Sequence, residues 1–513
     1  MRGIPSLITD IRKKVFTEVA RMAYSGNGYE GAEDLPFKIV PGDQPLHRES
    51  IFLERAIAGE RVRLAMGLSI RPIQTRSLMT EGMDAAAIAE QYYEPPLINI
   101  IPYACHACPT NQYRVTESCQ NCLAASCQKV CPRGAISFVN GKSHIDPDKC
   151  IRCGKCEKAC PYHAIIHMER PCQAACGMDA IVSDAHGKAI INQDKCVACG
   201  QCLVSCPFGA IVDKGQIFQV IQSILKGDQV IAIVAPAFIG QFSGKVSPGK
   251  FVAAMKQLGF ARVVEVAIGA DLCTIEEARD FLEKVPAQQD YMATSCCPAW
   301  HSMIYKLFPS EKNKISMTLT PMVFTARLVK QQYPQCRVVF VGPCAAKKLE
   351  AIRADIRSDV DFVLTFEELQ GMFEAREIDF DAIEELDYLN EGTGAGRGFA
   401  VSGGVAGAVA ALAQQEHPER EIKTARAEGL RECRRLMTLA KAGKYKGGLL
   451  EGMACPGGCI AGAGTVQPPE KSRRLLEQYK AQAPKSNPVE SDYTEYLQII
   501  REDEENWDPV ARH

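Results

Sequence analysis

The chain has 513 residues, 24 of them cysteine, a share well below the roughly 8–10% of a small disulfide scaffold. Its 59 basic and 61 acidic residues leave a net charge of −2, which gives no electrostatic footing for nucleic acid or an anionic membrane surface. No apolar run reaches the roughly 18 residues of a transmembrane helix, and MRGIPSLITDIRKKVF lacks a signal-peptide core or twin-arginine pair, so the expected setting is cytoplasmic and reducing, where clustered cysteines bind metal.

Residues 1–104 contain no cysteine and read as a helical accessory segment. Ile8, Ile11, Val15, Val19 and Met22 recur at helical spacing. A Gly-rich break (SGNGYEGAED) follows, and then a second helical stretch near 48–67. No chemical motif occurs here, so packing or docking is the expected role.

Residues 105–212 hold sixteen cysteines. Two runs match the bacterial ferredoxin spacing C-x2-C-x2-C-x3-C-P: Cys150, Cys153, Cys156, Cys160 and Cys196, Cys199, Cys202, Cys206. Cys119, Cys122, Cys127, Cys131 is a near variant. In such pairs the fourth thiolate of each run ligates the cluster of the other. Cys105 and Cys108 resemble the start of a further run, and Cys172 and Cys176 its end, with a complete two-run ferredoxin between them. The segments GAISFVNGKSHIDPDKC and GMDAIVSDAHGKAIINQDKC are alike in length and pattern, which puts Cys176 in a fourth-ligand position; the first carries an Asn-Gly hairpin signal. YRVT and AIIHM flank the inner unit and are expected to pair as strands.

The reading is an outer ferredoxin split by an inner one at about 113–168. Its clusters are Cys119, Cys122, Cys127 with Cys160; Cys150, Cys153, Cys156 with Cys131; Cys196, Cys199, Cys202 with Cys176; and Cys105, Cys108, Cys172 with Cys206. That makes four [4Fe–4S] clusters. The alternative is two or three clusters with spare structural cysteines.

Residues 213–465 alternate helical stretches with Val/Ile runs, namely VIAIVAPAF (230–238), ARVVEVAIG (261–269), CRVVFVGPC (336–344) and VDFVLTF (360–366). Continuous runs of this kind suggest parallel strands covered on both faces, hence an α/β domain. Polar residues 466–513 suggest a C-terminal helical cap. The fold class is therefore α+β multidomain, a ferredoxin-like module followed by an α/β domain. Three segments stand out: TSCCPAW (294–300), VGPCAAKKLE (341–350) and EGMACPGGCIAGAG (451–464). Loops at strand ends of α/β domains converge on one site. Cys297, Cys344, Cys455 and Cys459 then supply four thiolates for one more cubane. Cys273, Cys336 and Cys433 lack ligand spacing and read as small buried hydrophobes.

These segments match, in order, the signatures TSCCPxW, PCxxKKxE and ExMxCxxGCxxG, and over about 105–465 the chain resembles the [FeFe]-hydrogenases. The resemblance implies an H-cluster: a cubane linked to a diiron unit with CO, cyanide and an azadithiolate. It implies Cys459 as the bridging ligand, Cys296 as proton donor, and Lys347 as hydrogen-bond donor to cyanide. It places Pro321, Phe399, Met453 and the loop Ala235, Pro236, Ala237 around the diiron unit.

The family's proton route corresponds to Cys296, Glu277, Ser316, Asp280 and Lys284. Glu277, Asp280 and Lys284 also share one helix face, although Thr274-x-x-Glu277 reads equally as a capping box. Gly342, Ala237 and the GAG ending depart from the common signatures and resemble the branch called group B. The implied reaction is reversible 2H⁺ + 2e⁻ to H₂. The implied partners are a ferredoxin or flavodoxin and hydrogenase maturation proteins, with no nucleic acid and no membrane. A hydrogen-sensing regulator and a non-catalytic iron–sulfur assembly factor are the alternative functions.

Overall fold

The Val/Ile runs become strands because a parallel sheet buried on both faces accepts β-branched residues at every position. In the computed structural model, which describes residues 4–86, 94–386 and 389–499, one parallel sheet has the order Arg262–Glu265, Val230–Val234, Arg337–Gly342, Phe362–Thr365. All five residues of Val230–Val234 are buried. Two runs stop earlier than their apolar residues do. Val230–Val234 turns into the short 3-10 helix Pro236–Phe238, and Arg262–Glu265 gives way to the helix Ala267–Lys284.

A second parallel sheet, Tyr291–Ala293, Gly448–Met453 and Lys423–Glu428, was not apparent in the sequence. Its central strand is fully buried but interrupted by Gly448 and Gly452. Gly452 is required by packing, since a Cβ there would lie 2.1 Å from Trp300. Its edge strand KTARAE is mostly exposed and polar.

The expected helices of the accessory segment are Leu7–Tyr24 and Ile51–Ala65. Val15, Val19 and Met22 are buried as anticipated, whereas Ile8 and Ile11 are half-buried. The first helix packs against Phe366–Ala375 at Gly371, where a Cβ would meet Phe16 at 2.4 Å.

In the Cys-rich segment, Gln112–Val115 pairs antiparallel with Ile165–Met168, as expected of YRVT and AIIHM. Ile98–Ile100 pairs with Ile211–Asp213, outside that pair in sequence. Each intervening stretch carries a hairpin, Ile136–Val139 with Lys142–Ile145 and Ile181–Ser183 with Ala189–Ile191. Asn140 and Gly141 both have positive φ, as the Asn-Gly turn requires. The helix Pro469–Ala481 covers the first sheet's end. Its Tyr479 hydroxyl donates to Glu265 at 2.8 Å, and its Tyr479 carbonyl accepts from Arg397 at 2.9 Å. No described helix is long and apolar enough to cross a membrane. Residues 500–513 of the expected cap lie outside the described residues.

Candidate functional site

The C-terminal ends of strands from both sheets open on one cavity of about 100 Å³. Cys296 and Cys297 follow Tyr291–Ala293, Cys344 follows Arg337–Gly342, and Cys455 and Cys459 follow Gly448–Met453. All five cysteines line the cavity, together with Lys347. The rest of the anticipated wall is there too: Ala235, Pro236, Ala237, Pro321, Phe399 and Met453. Gly342 leaves no room for a side chain, since its Cβ would sit 2.5 Å from the Phe340 ring. The departure from the common signature is thus tied to the packing of its neighbour.

Lys347 is buried, not a surface lysine. Its Nζ lies 2.6 Å from Glu350 Oε2 and 3.1 Å from Thr320 Oγ1. Burial works against its charge, but the Glu350 carboxylate and the Cys344 thiol hold its pKa above the usual lysine range. Burial pushes the thiols the other way. Cys344 rises to about 12, and Cys296 and Cys459 stand well above the ordinary thiol range. For Cys296 the carboxyls of Glu277 and Glu451 add to burial.

Glu277 does not cap a helix. The helix starts at Ala267, and Thr274 donates instead to the Ala270 carbonyl at 2.8 Å. Glu277 is fully buried, and neither carboxyl oxygen has a well-formed hydrogen bond. Burial drives its pKa up to about 8, against the pull of the nearby Ser316 hydroxyl and Ser295 amide. Ser316 is itself 2% exposed. One turn onward Asp280 pairs with Lys284 at 2.6 Å, both partly open to solvent. Of the expected route, Glu277, Asp280 and Lys284 lie on the one helix Ala267–Lys284, from its buried part to its solvent-facing end.

Eight of the sixteen cysteines of the ferredoxin segment gather in the two outer sets expected from the spacing. Cys105, Cys108, Cys172 and Cys206 line one cavity, and Cys176, Cys196, Cys199 and Cys202 line another. Cys199 also lines the cavity that holds Cys297, Cys344, Cys455 and Cys459, and Gln201 Nε2 donates to Cys455 Sγ at 3.1 Å. Gly200 permits this approach, because a Cβ there would meet Ala463 Cβ at 2.4 Å. In the inner segment Cys127, Cys131, Cys156 and Cys160 share one apolar cluster. Ser143 bridges Cys119 and Cys127, and Cys156 feels the charges of Cys150 and Cys131. Cys122 is half-buried and Cys153 exposed. Backbone amides aim at Cys105, Cys131, Cys160 and Cys176 at 3.3–3.4 Å. All described cysteines are free thiols. Among the described residues no three His, Cys, Asp or Glu side chains converge on a single-ion position.

Residues 228–463 match the model of the iron only hydrogenase large subunit, C-terminal domain, and residues 143–166 and 189–212 match the 4Fe-4S binding domain. The chain is a divergent [FeFe]-hydrogenase-like protein. It is 29% identical to the NADP-reducing hydrogenase subunit HndD of Solidesulfovibrio fructosivorans over 62% of its own length and 63% of that relative's. It is 31% identical to a probable cytosolic Fe-S cluster assembly factor of Drosophila virilis over 47% of this chain and 63% of that one. The apo [FeFe]-hydrogenase HydA1 of Chlamydomonas reinhardtii aligns at 22% identity and a TM-score of 0.47, over 55% of this chain and 94% of that one.

The residues of this hydrogenase-like chain fit iron–sulfur chemistry. Thiolate sets are the donors such clusters take, and near one of them the protein buries cations that donate to carbonyls and, among the described residues, to no carboxylate. Arg170 is buried in the wall of the Cys105/Cys108/Cys172/Cys206 cavity, and Arg61 is buried within electrostatic reach of Cys206; each has an Nε that has no hydrogen-bond partner. Sequence reasoning missed both arginines, as well as Gln201. Arg170 sits two residues before Cys172, the only local hint; Arg61 lies in a helix without a motif.

Proposed function

We propose that the chain is a hydrogenase interconverting 2H⁺ + 2e⁻ and H₂ at an H-cluster. The carrying observation is that four thiolates, the spare thiol Cys296 and the buried Lys347 line one apolar cavity, with Cys199 of the neighbouring cysteine set on the same wall. Cys297, Cys344, Cys455 and Cys459 would hold the cubane, with Cys459 also bridging to the diiron unit. When bound, the H-cluster supplies the redox-active iron at which protons and dihydrogen interconvert. Cys296 holds the proton at its Sγ. Glu277, neutral at pH 7, exchanges it with Cys296 and passes it by Ser316 to Asp280 and Lys284. Lys347 would donate a charge-assisted hydrogen bond to a cyanide of the bound group. Pro321, Phe399 and Met453, with the loop Ala235, Pro236 and Ala237, exclude water.

The cysteines of two nested ferredoxins, the inner at about 113–168, would hold four accessory [4Fe–4S] clusters and would supply the cavity with electrons. The cysteine sets and the two nested strand pairs support this order. The inner segment carries eight Lys and Arg against four Asp and Glu, whereas 105–112 with 169–212 carry three against four. Lys129, Lys155 and Lys158 are exposed, and so are the apolar Leu123, Ile151 and Tyr162 of the same segment. A basic surface of this kind suits an acidic ferredoxin or flavodoxin as donor. Maturation proteins would insert the diiron unit.

The similarity to assembly factors supports a second reading, a non-catalytic iron–sulfur protein; the third is a hydrogen sensor. Anaerobic maturation followed by iron analysis, infrared spectroscopy and H₂ assay decides among them. The enzyme shows about sixteen accessory iron atoms, four per cluster, with CO and cyanide bands and fast turnover. Bands with negligible turnover indicate the sensor. A fully iron-loaded, co-matured chain without bands indicates the assembly factor.

A further inference from the structure

The helix Ile51–Ala65 delivers a cation to the Cys-rich segment. Arg61 is 6% exposed, and its Nη2 donates to the Gly209 carbonyl at 2.9 Å. Gly209 closes the turn that opens at Cys206, its amide donating to the Cys206 carbonyl at 3.3 Å. A Cβ on Gly209 would collide with Arg61 Nη2. Arg170 is 1% exposed and lines the Cys105/Cys108/Cys172/Cys206 cavity. It donates to the carbonyls of Cys108 at 3.1 Å, Gly187 at 2.5 Å and Val182 at 3.3 Å. Half-buried Arg48 adds a third guanidinium, donating to the Phe208 carbonyl at 3.1 Å and touching His106. Among the described residues, the hydrogen-bond acceptors of Arg61 and Arg170 are all carbonyls.

Two buried, permanently charged groups without a carboxylate are strongly unfavourable unless an anion sits beside them. A [4Fe–4S] cluster on four thiolates is that anion, and its one-electron reduction adds one further negative charge with no proton or group transferred. Cations fixed in a medium of low dielectric favour the more negative state and raise the potential. The other sites are arranged differently. Lys306 donates to the Asp194 and Cys196 carbonyls at the rim of the second site, and Lys129, Lys149, Lys155 and Lys158 of the inner segment face solvent. Amide-to-sulfur contacts recur at all of them, so they do not set one apart.

We propose that Arg61 and Arg170 make the cluster on Cys105, Cys108, Cys172 and Cys206 the most oxidising of the accessory set, a resting place for an electron on its way to the catalytic cavity. The inference rests on the four-cluster reading above. Its location gives it consequence. Cys108 lies shortly before Gln112–Val115 and Cys172 shortly after Ile165–Met168, the paired strands through which the inner segment joins the rest of the chain. An electron held at this joint keeps the catalytic half supplied between encounters with the donor. The accessory segment 1–104 thereby gains a role: it carries Arg61 and Arg48.

The test is a potentiometric titration, followed by electron paramagnetic resonance, of the full-length, anaerobically reconstituted chain. In Arg61→Met the highest-potential accessory wave should move down by about tenfold in its reduction equilibrium, ~59 mV for one electron, with the other waves and the iron content unchanged. Arg61→Lys should keep most of the wild-type potential. An unmoved highest wave in fully loaded Arg61→Met overturns the proposal, and so does movement of a different wave. Should Arg61→Met not fold, Arg48→Gln serves instead: a smaller downward shift of the same wave supports the proposal, and no shift overturns it. The readout needs no hydrogen turnover, so it stands apart from the outcome for catalysis.

Discussion

Replacing Glu277 by Gln should make the protein more stable and less active at once. The ordinary carboxyl pKa of 4.5 rises to about 8 in the fold, chiefly through burial. Below pH 4.5 the group is neutral in both folded and unfolded chains and has no effect on their balance. Between 4.5 and about 8 only the unfolded chain ionises, so stability falls as pH rises, by about 1.36 kcal/mol per unit. At pH 7 the accumulated cost is about 3 kcal/mol. Gln is neutral and nearly isosteric, so Glu277→Gln should raise the urea midpoint at pH 7 and leave it unchanged near pH 4.5. It also cannot exchange a proton, and loss of a positioned acid or base typically costs 10²–10⁴ in rate. The assay is H₂ evolution from reduced methyl viologen between pH 6 and 9, at equal iron content. Wild-type activity should bend near pH 8, where Glu277 ionises, and the variant should lack that bend. Unchanged turnover at full iron content would remove Glu277 from the route. An unchanged urea midpoint at pH 7 would show that the folded protein holds it ionised.

Other expectations follow from packing and charge. Arg397→Met leaves Glu265 buried without its ion-pair partner, although the Tyr479 hydroxyl still donates to it, and should cost about 3–5 kcal/mol, read as a lower urea midpoint. Gly200→Ala combines a φ of +74° with a Cβ 2.4 Å from Ala463. It should cost about 1–3 kcal/mol and slow reduction of the catalytic cavity relative to the accessory clusters in freeze-quench experiments; an unaltered rate would show that the loop carrying Cys199 is not closely set. Reversing Lys129, Lys155 and Lys158 to Glu should lower the second-order rate of reduction by an acidic ferredoxin about tenfold at low salt and flatten its salt dependence. Reduction by the small cationic viologen should not fall, and equal loss with both donors would argue against docking there.

Much of this was legible because the signals are local. Cysteine spacing is dictated by the shape of a cubane, and the two outer sets it implies are those that line separate cavities. The first sheet was legible because strands buried on both faces must be apolar throughout, as Val230–Val234 is. The second sheet was not, because its central strand uses Gly452 to admit Trp300 and its edge strand faces solvent. No periodicity survives either demand. The capping-box reading of Thr274 arose from a four-residue pattern that occurs inside helices as readily as at their ends. Arg61 was illegible for another reason: its meaning depends on Gly209, 148 positions away in sequence, and only folding brings the two together.

The environment of the cavity also bears on why a cysteine, Cys296, would carry the proton under the proposed function. Burial raises the pKa of Cys296 and Cys297 alike, so the surroundings alone do not divide the adjacent pair into ligand and proton carrier. Coordination does. At rest, a thiol in so apolar a pocket is deprotonated when a metal binds its sulfur and displaces the proton. Whichever sulfur of the pair remains uncoordinated therefore stays a neutral thiol at pH 7. A neutral thiol needs no counter-charge in the dry site, yet it can give up a proton when negative charge develops beside it. Glu277, pushed up to about 8, is also neutral at that pH and can reprotonate the sulfur without a separated charge persisting in the interior. The same desolvation thus selects the metallated thiolate, keeps its neighbour protonated and tunes the carboxyl behind it, three effects that a single polar substitution in the wall, such as Ala237→Glu, should disturb together.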